Sequence, residues 1–487
     1  MIDVLLTHSY FMMFDRKQWR NMQPYPPLGT LYAASVLREA GLKVALFDSM
    51  LSGSEDELSE YIRTYSPKIV AIYDDSFNYL TKMCLSRMRT AAYQMLDIVK
   101  SRGIVSVVFS PDSVNHADDY LAHGADFVIK GEGEETLLEL CTSVLRGDRL
   151  TRVPGTIQKR GGHLYVDQPR GLIKDLDRLP FPAWDLVDVE RYKMAWEIHG
   201  YFSMNMVTTR GCPFGCNWCA KPIYGRSYHS RSPRNVVEEM TFLKQHYNPD
   251  HIWFCDDIFG LRPGWLEEFA AEVENAGLSL RYKCLSRPDL LVKENSFNNL
   301  SRSGCETVWL GVESGSQAVL DAMEKGTTVE QARIATKKLK ECDMRVGYFL
   351  QFGYPGESYL DIKKTMSLLK EESPDEIGIS VSYPLPDTAF YSAVKNKLGD
   401  KLNWYDSDDL ALLFPGEFKP SFYRALHRLI HSSHRLRRIL SRAERISIRT
   451  ALAFLFNAAV LPYFAILVRL RRKKNPNRIV SQPEHQQ

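Results

Sequence analysis

Three cysteines fall within eight residues of one another, in the run Thr209-Arg-Gly-Cys-Pro-Phe-Gly-Cys-Asn-Trp-Cys-Ala, and this run constrains the chain more than any other feature. Cys212, Cys216 and Cys219 have the spacing Cys-x3-Cys-x2-Cys. Thiolates this close can hold three irons of a cubane cluster. No fourth cysteine lies nearby, so one iron would stay open to a ligand that is not protein. Gly211, Pro213 and Gly215 suit a tight loop around such a cluster, because glycine tolerates positive φ and proline fixes φ. Zinc and buried structural thiols are the competing readings. Zinc prefers four ligands in two pairs, and the chain has no second Cys-x2-Cys. Structural cysteines seldom cluster in this way.

A chain of 487 residues, 44% apolar and 25% charged, has the composition of a soluble protein with two or three domains and a sizeable core. Nine cysteines and a start at Met1-Ile-Asp-Val without a signal peptide point to a reducing cytoplasm. Cys84, Cys141, Cys255, Cys284, Cys305 and Cys342 are scattered singly and read as small buried apolar side chains. The net charge of +3 hides an asymmetry. Between Ser421 and Lys474 there are thirteen basic residues and one acid, Glu444, so the rest of the chain is acidic. Such a tail seeks a polyanion or an anionic membrane surface. His427, His431 and His434 share one face of it and read as solvated charge rather than a second metal site. Thr450 to Val468 is nineteen residues without a charge, close to the ~20 that span a bilayer. Asn457 and Pro462 interrupt it, and the stretch before it is basic and amphipathic. Attachment at the inner face of the membrane is therefore expected over spanning, with a helix packed on the rest of the protein as the alternative.

The N-terminal part alternates strands and helices. Ile2-Asp-Val-Leu-Leu, Val44-Ala-Leu-Phe, Ile69-Val-Ala-Ile-Tyr, Val105-Ser-Val-Val-Phe and Phe127-Val-Ile read as buried strands, and Gly29 to Ala40 as a helix. Short β-rich runs separated by helical stretches predict an α/β fold with a doubly wound parallel sheet over residues 1–150. Ligands on such sheets bind beyond the carboxyl ends of the strands. There the chain offers Thr7-His8-Ser9, Asp74-Asp75-Ser76 and Ser110-Pro111-Asp112. Residues 151–202 read as a linker, with four prolines and the turn Gly161-Gly162. A second alternating unit follows over residues 203–400, with strands at Met204-Asn-Met-Val-Thr, Ile252-Trp-Phe-Cys, Val308-Trp-Leu-Gly-Val, Val346 to Phe352 and Ile377-Gly-Ile-Ser-Val. About six repeats predict a partial (β/α)6 TIM-type barrel with its chemistry at the C-terminal ends of the strands. Residues 401–487 form a helical, basic C-terminal region.

The cysteine run resembles the signature of the radical S-adenosylmethionine (SAM) superfamily, in which SAM occupies the open iron of a 4Fe-4S cluster and is cleaved to a radical. Pro26-Pro-Leu-Gly-Thr-Leu-Tyr, Leu37-Arg-Glu-Ala-Gly and Lys130-Gly-Glu-Gly-Glu-Glu-Thr resemble the cobalamin-binding domain of the class B branch. Arg231-Ser-Pro, Phe254-Cys-Asp-Asp-Ile-Phe, Gly311-Val-Glu-Ser-Gly-Ser-Gln, Gly353-Tyr-Pro-Gly-Glu-Ser and Tyr383-Pro-Leu-Pro-Asp-Thr follow in that branch's order. The likeness is to anaerobic magnesium-protoporphyrin ester cyclase and the hopanoid-modifying enzymes. It implies cobalamin as a third cofactor, with two departures. The Asp-x-His-x-x-Gly motif is missing, so no histidine is named for cobalt, and Ser110-Pro111 stands where the family has Gly-Gly. Asp256 and Asp257 end a strand and would accept from the SAM ammonium or ribose. Glu313 and Ser314 would meet the ribose, and Arg287 the SAM carboxylate. The fold likeness implies an external electron donor such as flavodoxin or ferredoxin. The expected activity is functionalisation of an unactivated carbon of a small lipophilic substrate, by cobalamin-dependent methylation or by cyclisation or oxidation. An RNA-modifying methylthiotransferase would carry three further N-terminal cysteines, which are lacking here, so nucleic acid is not expected as a partner. A cobalamin or redox sensor would need no SAM pocket.

Overall fold

The ends of five strands set the floor of the N-terminal half. β1 (Val4–Thr7), β2 (Val44–Phe47), β3 (Ile69–Tyr73), β4 (Val105–Phe109) and β5 (Phe127–Ile129) run parallel in the order β2-β1-β3-β4-β5. All five residues of β3 are buried, as a strand covered by helices on both faces requires. The order reverses between β1 and β3, which is the topological switch point of a doubly wound sheet. β6 (Thr156–Arg160) and β7 (His163–Val166), turned by Gly161 and Gly162, extend the same sheet as an antiparallel hairpin. That hairpin lies in the stretch between the two alternating segments.

This computed structural model describes residues 1–148, 152–441, 448–476 and 478; Arg442 and Arg445 of the basic tail lie outside these. The chain divides into two compact units. The first holds Met1–Phe214, Lys221–Tyr282 and Asn403–Asp409, and the second Gly215–Ala220, Lys283–Leu402 and Leu410–Gln487.

After β8 (Ser203–Met206) come the short antiparallel pair β9 (Thr209–Arg210) and β10 (His229–Ser230), then β11 (His251–Phe254), β12 (Arg281–Ser286), β13 (Cys305–Glu313), β14 (Arg345–Phe352) and β15 (Glu376–Val381). The second sheet has the strand order β15-β14-β13-β12-β11-β8. Its six strands are those of the partial barrel, and β8–β11, β13–β14 and β14–β15 pair in parallel. β12 is the strand that the sequence reading lacked. Its residues alternate between buried and partly exposed, so it carries no continuous apolar run. Helix starts follow local chemistry. Ser232 caps Pro233–Tyr247, which has proline in its first turn, and Thr328 with Gln331 forms a capping box on Val329–Glu341.

Two late segments finish the units. In the first, Ser407 donates through its amide and hydroxyl to Asp15, at 3.0 and 2.8 Å, and Trp404 is buried. The Trp404 carbonyl accepts from the Ser86 amide at 2.8 Å, and Asn403 accepts from Arg89 at 3.0 Å. In the second, helices Pro420–Ser441 and Ile448–Arg471 form a hairpin whose base is clipped by Lys474 and Arg478 to Glu417, at 2.9 and 3.1 Å.

Candidate active site

In the first unit, the chain entering the cysteine run is held by two devices. Arg210 is buried and its guanidinium is gripped by Glu132 and, at 2.7 Å, by Glu134. These are the acids of Gly131-Glu-Gly-Glu, at the start of the helix Glu134–Leu145. Gly133 is needed there, because a Cβ would lie 2.4 Å from the Tyr73 hydroxyl. The rings of Tyr32, Phe77 and Tyr224 surround the guanidinium at 5.6 to 5.7 Å. Burial disfavours the charge on Arg210, but Glu134, Tyr224 and Glu132 outweigh it and hold its pKa well above the ordinary value.

The second device is Asp256, which follows β11. Its carboxylate accepts from the amides and hydroxyls of both Thr208 and Thr209, at 2.7 to 2.9 Å. Burial pushes its carboxyl up to about 6 even so. Asp256, expected as an acceptor for SAM, thus spends its lone pairs on the two residues that lead into the cysteine loop. Asp257 faces Lys82 at 2.7 Å. Gly211, at φ 85°, lies where a Cβ would meet the Ser227 carbonyl at 2.3 Å. Cys212, next in the chain, is buried.

The strand ends beyond the switch point are also engaged. His8 contacts Asp48 at 3.0 Å and Ser49 at 3.1 Å, through different ring nitrogens. Asp74 accepts from the Ser9 amide and hydroxyl, and Asp75 from the amides of Gly29 and Phe77. The Asp112 carboxylate pairs with Arg89. A cobalamin bound beyond these strand ends would meet a His8 already engaged with Asp48 and Ser49.

In the second unit, Asn217 anchors the cysteine loop on all sides. Its amide donates to the Met323 carbonyl and its side chain to the Ala322 carbonyl, at 3.1 and 2.9 Å. Its side-chain oxygen accepts from the Tyr354 hydroxyl at 3.0 Å, and its carbonyl accepts from the Phe390 amide at 3.0 Å. Beside it, the buried Trp218 Nε1 has no hydrogen-bond partner within the protein. Arg287 Nη1 lies 3.7 Å from the Cys216 sulfur, while the same guanidinium holds Asp289 by two bonds at 3.0 and 3.1 Å. Glu313 ends β13 and pairs with Lys325 at 2.9 Å. The structure therefore brings Cys216, Arg287 and Glu313 into one network through Lys325, whose carbonyl accepts from Arg287 at 2.8 Å. Ser314 is turned elsewhere, to Thr365 at 3.2 Å and the Ser316 amide at 3.1 Å. In the loop after β14, Glu357 accepts from the Gly353 amide, and burial pushes its carboxyl up to about 8.

Arg210, Asn217, Tyr354 and Lys325 are the site residues that sequence reasoning missed. The signal for Arg210 was present in the paired acids of Gly131-Glu-Gly-Glu, which need a buried cation. Cysteines close in sequence, an indole N–H without a protein partner on the residue between two of them and a guanidinium against one sulfur suit an iron–sulfur cluster with a polar ligand.

Residues 206–369 match the profile of the radical SAM superfamily. An uncharacterised methyltransferase of Pyrococcus horikoshii is 27% identical over 78% of this chain and 81% of its own length. The anaerobic magnesium-protoporphyrin IX monomethyl ester cyclase of Rubrivivax gelatinosus is 26% identical over 80% of this chain and 69% of its own. The cobalamin-dependent SAM radical enzyme OxsB, solved with aqua-cobalamin and SAM bound, superposes with a TM-score of 0.73. That match covers 96% of this chain and 72% of OxsB at 16% identity, and so establishes a shared fold. Residues 206–369 are thus similar to the radical SAM superfamily, and the relatives and the shared fold point the same way.

Proposed function

We propose that the protein is a cobalamin-dependent radical SAM enzyme that methylates, or closes a ring on, an unactivated carbon of a small lipophilic substrate. The cysteine run carries this reading, with Cys212, Cys216 and Cys219 as the cluster ligands. Cys212, Cys216 and Cys219 would hold a 4Fe-4S cluster, which with an external flavodoxin- or ferredoxin-type donor would supply the one-electron reductive cleavage of SAM. The chain's own residues do the positioning. Arg210 and Asp256 hold the entry to the loop, and Asn217 holds its middle. Arg287, whose fork already holds Asp289, is proposed to meet the SAM carboxylate through the nitrogen that faces Cys216, and Glu313 offers acceptors to its ribose. Cobalamin is proposed from the fold shared with OxsB and the methyltransferase and cyclase relatives; no residue is assigned to cobalt. The test is anaerobic reconstitution with iron, sulfide and hydroxocobalamin, then SAM and a strong reductant. Release of 5′-deoxyadenosine or S-adenosylhomocysteine is expected, with a cobalamin spectrum lacking nitrogen ligation from the protein. A reconstituted protein that leaves SAM intact would overturn the enzyme reading in favour of a sensor.

We further propose that the C-terminal hairpin rests on an anionic membrane surface, which suits a lipophilic substrate. Among the described residues, Ala451–Arg471 is long and apolar enough to cross a membrane by length and composition. Leu452, Leu455, Phe456, Tyr463, Ile466 and Leu470 recur at helical spacing, and each is more than half exposed. Arg424, Arg428 and Arg435 line the exposed side of the first helix, and Arg469 to Lys474 close the second. Each cation near an anionic surface is worth about 1 kcal/mol, and each large apolar side chain fully buried about 1.5–3 kcal/mol. The hairpin cannot simply be cut away, because Phe422, Tyr423 and Leu426 are buried. The triple variant Leu455→Glu, Phe456→Glu, Ile466→Glu is expected to stop flotation with anionic liposomes, and high salt to weaken it for the wild type. A wild type that ignores anionic liposomes at low salt would refute the attachment.

A further inference from the structure

Lys325 brings a buried ammonium to the cysteine loop, and its backbone is shaped to do so. It follows the helix Gln317–Ala322, between Glu324 at φ 50° and Gly326 at φ 68°, and its amide closes that helix on the Leu320 carbonyl at 3.0 Å. Arg287 holds its carbonyl from the other side. The ammonium reaches Glu313 at 2.9 Å, with both side chains only 7% exposed, and lies 5.8 Å from the Trp218 ring. Gly311 leaves it room, since a Cβ there would lie 2.8 Å from Nζ.

Glu313 is unusual in its own right. It adopts φ 61°, and the register between β13 and β14 shifts between Gly311 and Glu313. A non-glycine residue in that region costs about 1–3 kcal/mol and persists where the surroundings enforce it. A bulge of this kind re-aims a side chain at a strand end. Three left-handed residues, a bulge and a glycine gap therefore serve a single ion pair. A buried ion pair adds little stability over a packed apolar pair, so stability does not account for it. Burial works against the charge on Lys325, but the Glu313 carboxylate outweighs it and raises its pKa above the ordinary value.

We propose that Lys325 is a positioning residue of the SAM site, fixing the Glu313 carboxylate and holding its ammonium close to Trp218 of the cysteine loop. The inference rests on the radical SAM reading above. Two effects follow from the charge and the geometry. A cation near a cluster favours the added electron and so raises the reduction potential, which depends on local charge and hydrogen bonding. A Glu313 held in one orientation presents its acceptors to SAM without an ordering cost.

Lys325→Gln and Lys325→Arg, each reconstituted in the full chain, test both effects. Lys325→Gln is expected to keep its iron, to bind SAM roughly tenfold more weakly or worse, and to show a more negative cluster midpoint in a redox titration followed by electron paramagnetic resonance. Lys325→Arg keeps the charge, so its midpoint should match the wild type. Its longer fork does not fit the gap over Gly311, so SAM binding should still weaken. Wild-type SAM affinity in either variant overturns the proposal, and if Lys325→Gln loses its iron, Lys325→Arg alone decides. A wild type that takes up no cluster ends the radical SAM reading itself. A cluster-bearing, SAM-cleaving wild type with unaltered Lys325 variants ends only this inference.

Discussion

The triple variant Cys212→Ala, Cys216→Ala, Cys219→Ala is expected to lose all bound iron and all reductive cleavage of SAM while remaining folded. The loss is complete because no other thiols are placed to substitute. Of the six remaining cysteines only Cys284 and Cys305 meet, with sulfurs 4.0 Å apart, and among the described residues no three His, Cys, Asp or Glu side chains are already gathered for a metal, the loop cysteines included. Without a cluster no electron reaches SAM. The fold survives because the loop is pinned by side chains other than its thiols. Arg210 is held by Glu132 and Glu134 in the first unit, and Asn217 by Ala322, Met323, Tyr354 and Phe390 in the second. Iron analysis, visible absorbance and circular dichroism of the reconstituted variant read the three quantities. Wild-type iron content in the triple variant would remove the cysteines from the ligand set.

Arg210→Met should be the most damaging single change to stability in the first unit. It leaves two carboxylates buried without their cation, and breaking a buried ion pair from one side costs about 3–5 kcal/mol. One oxygen of Glu134 already lacks a partner, and without Arg210 the structure leaves Glu132 only the Ile173 amide. Adding Glu132→Gln and Glu134→Gln to Arg210→Met removes the orphaned charges, and most of the loss should return. Thermal unfolding and limited proteolysis of the wild type, the single variant and the triple variant compare the three directly. A single variant as stable as the wild type, or a triple variant no better than the single, would show that the clasp carries no such energy.

The parallel strands were legible because burial on both faces leaves a contiguous apolar run, as in Ile69–Tyr73. β12 was not, because Arg281, Lys283 and Leu285 alternate with buried partners and break any such run. Cys212, Cys216 and Cys219 were legible because a cluster needs its ligands close together, and closeness in sequence guarantees it. The Arg210 clasp joins residues 78 and 76 positions apart, a distance over which no local rule operates. Asp256 was read as the end of a strand and lies two residues past β11, but whether its lone pairs face a ligand or Thr208 and Thr209 depends on the turn after β8. Lys325 reads in sequence as an ordinary basic residue at a helix end; only the fold shows that it points inward to Glu313.

The segment Asn403–Asp409 has a consequence for the order in which this protein can form. Its Ser407 meets Asp15 across 392 positions, and Trp404 fills a place in the N-terminal unit. At the roughly 5–20 residues per second of synthesis, Asp15 leaves the ribosome many seconds before its partner exists. For that interval the helix start at Arg16 has only its own Asp15 cap, and the surface that will receive Trp404 stays open to water or to a chaperone. The N-terminal unit is therefore among the first parts made and among the last completed, and its closing contacts wait until the second half of the chain has been made.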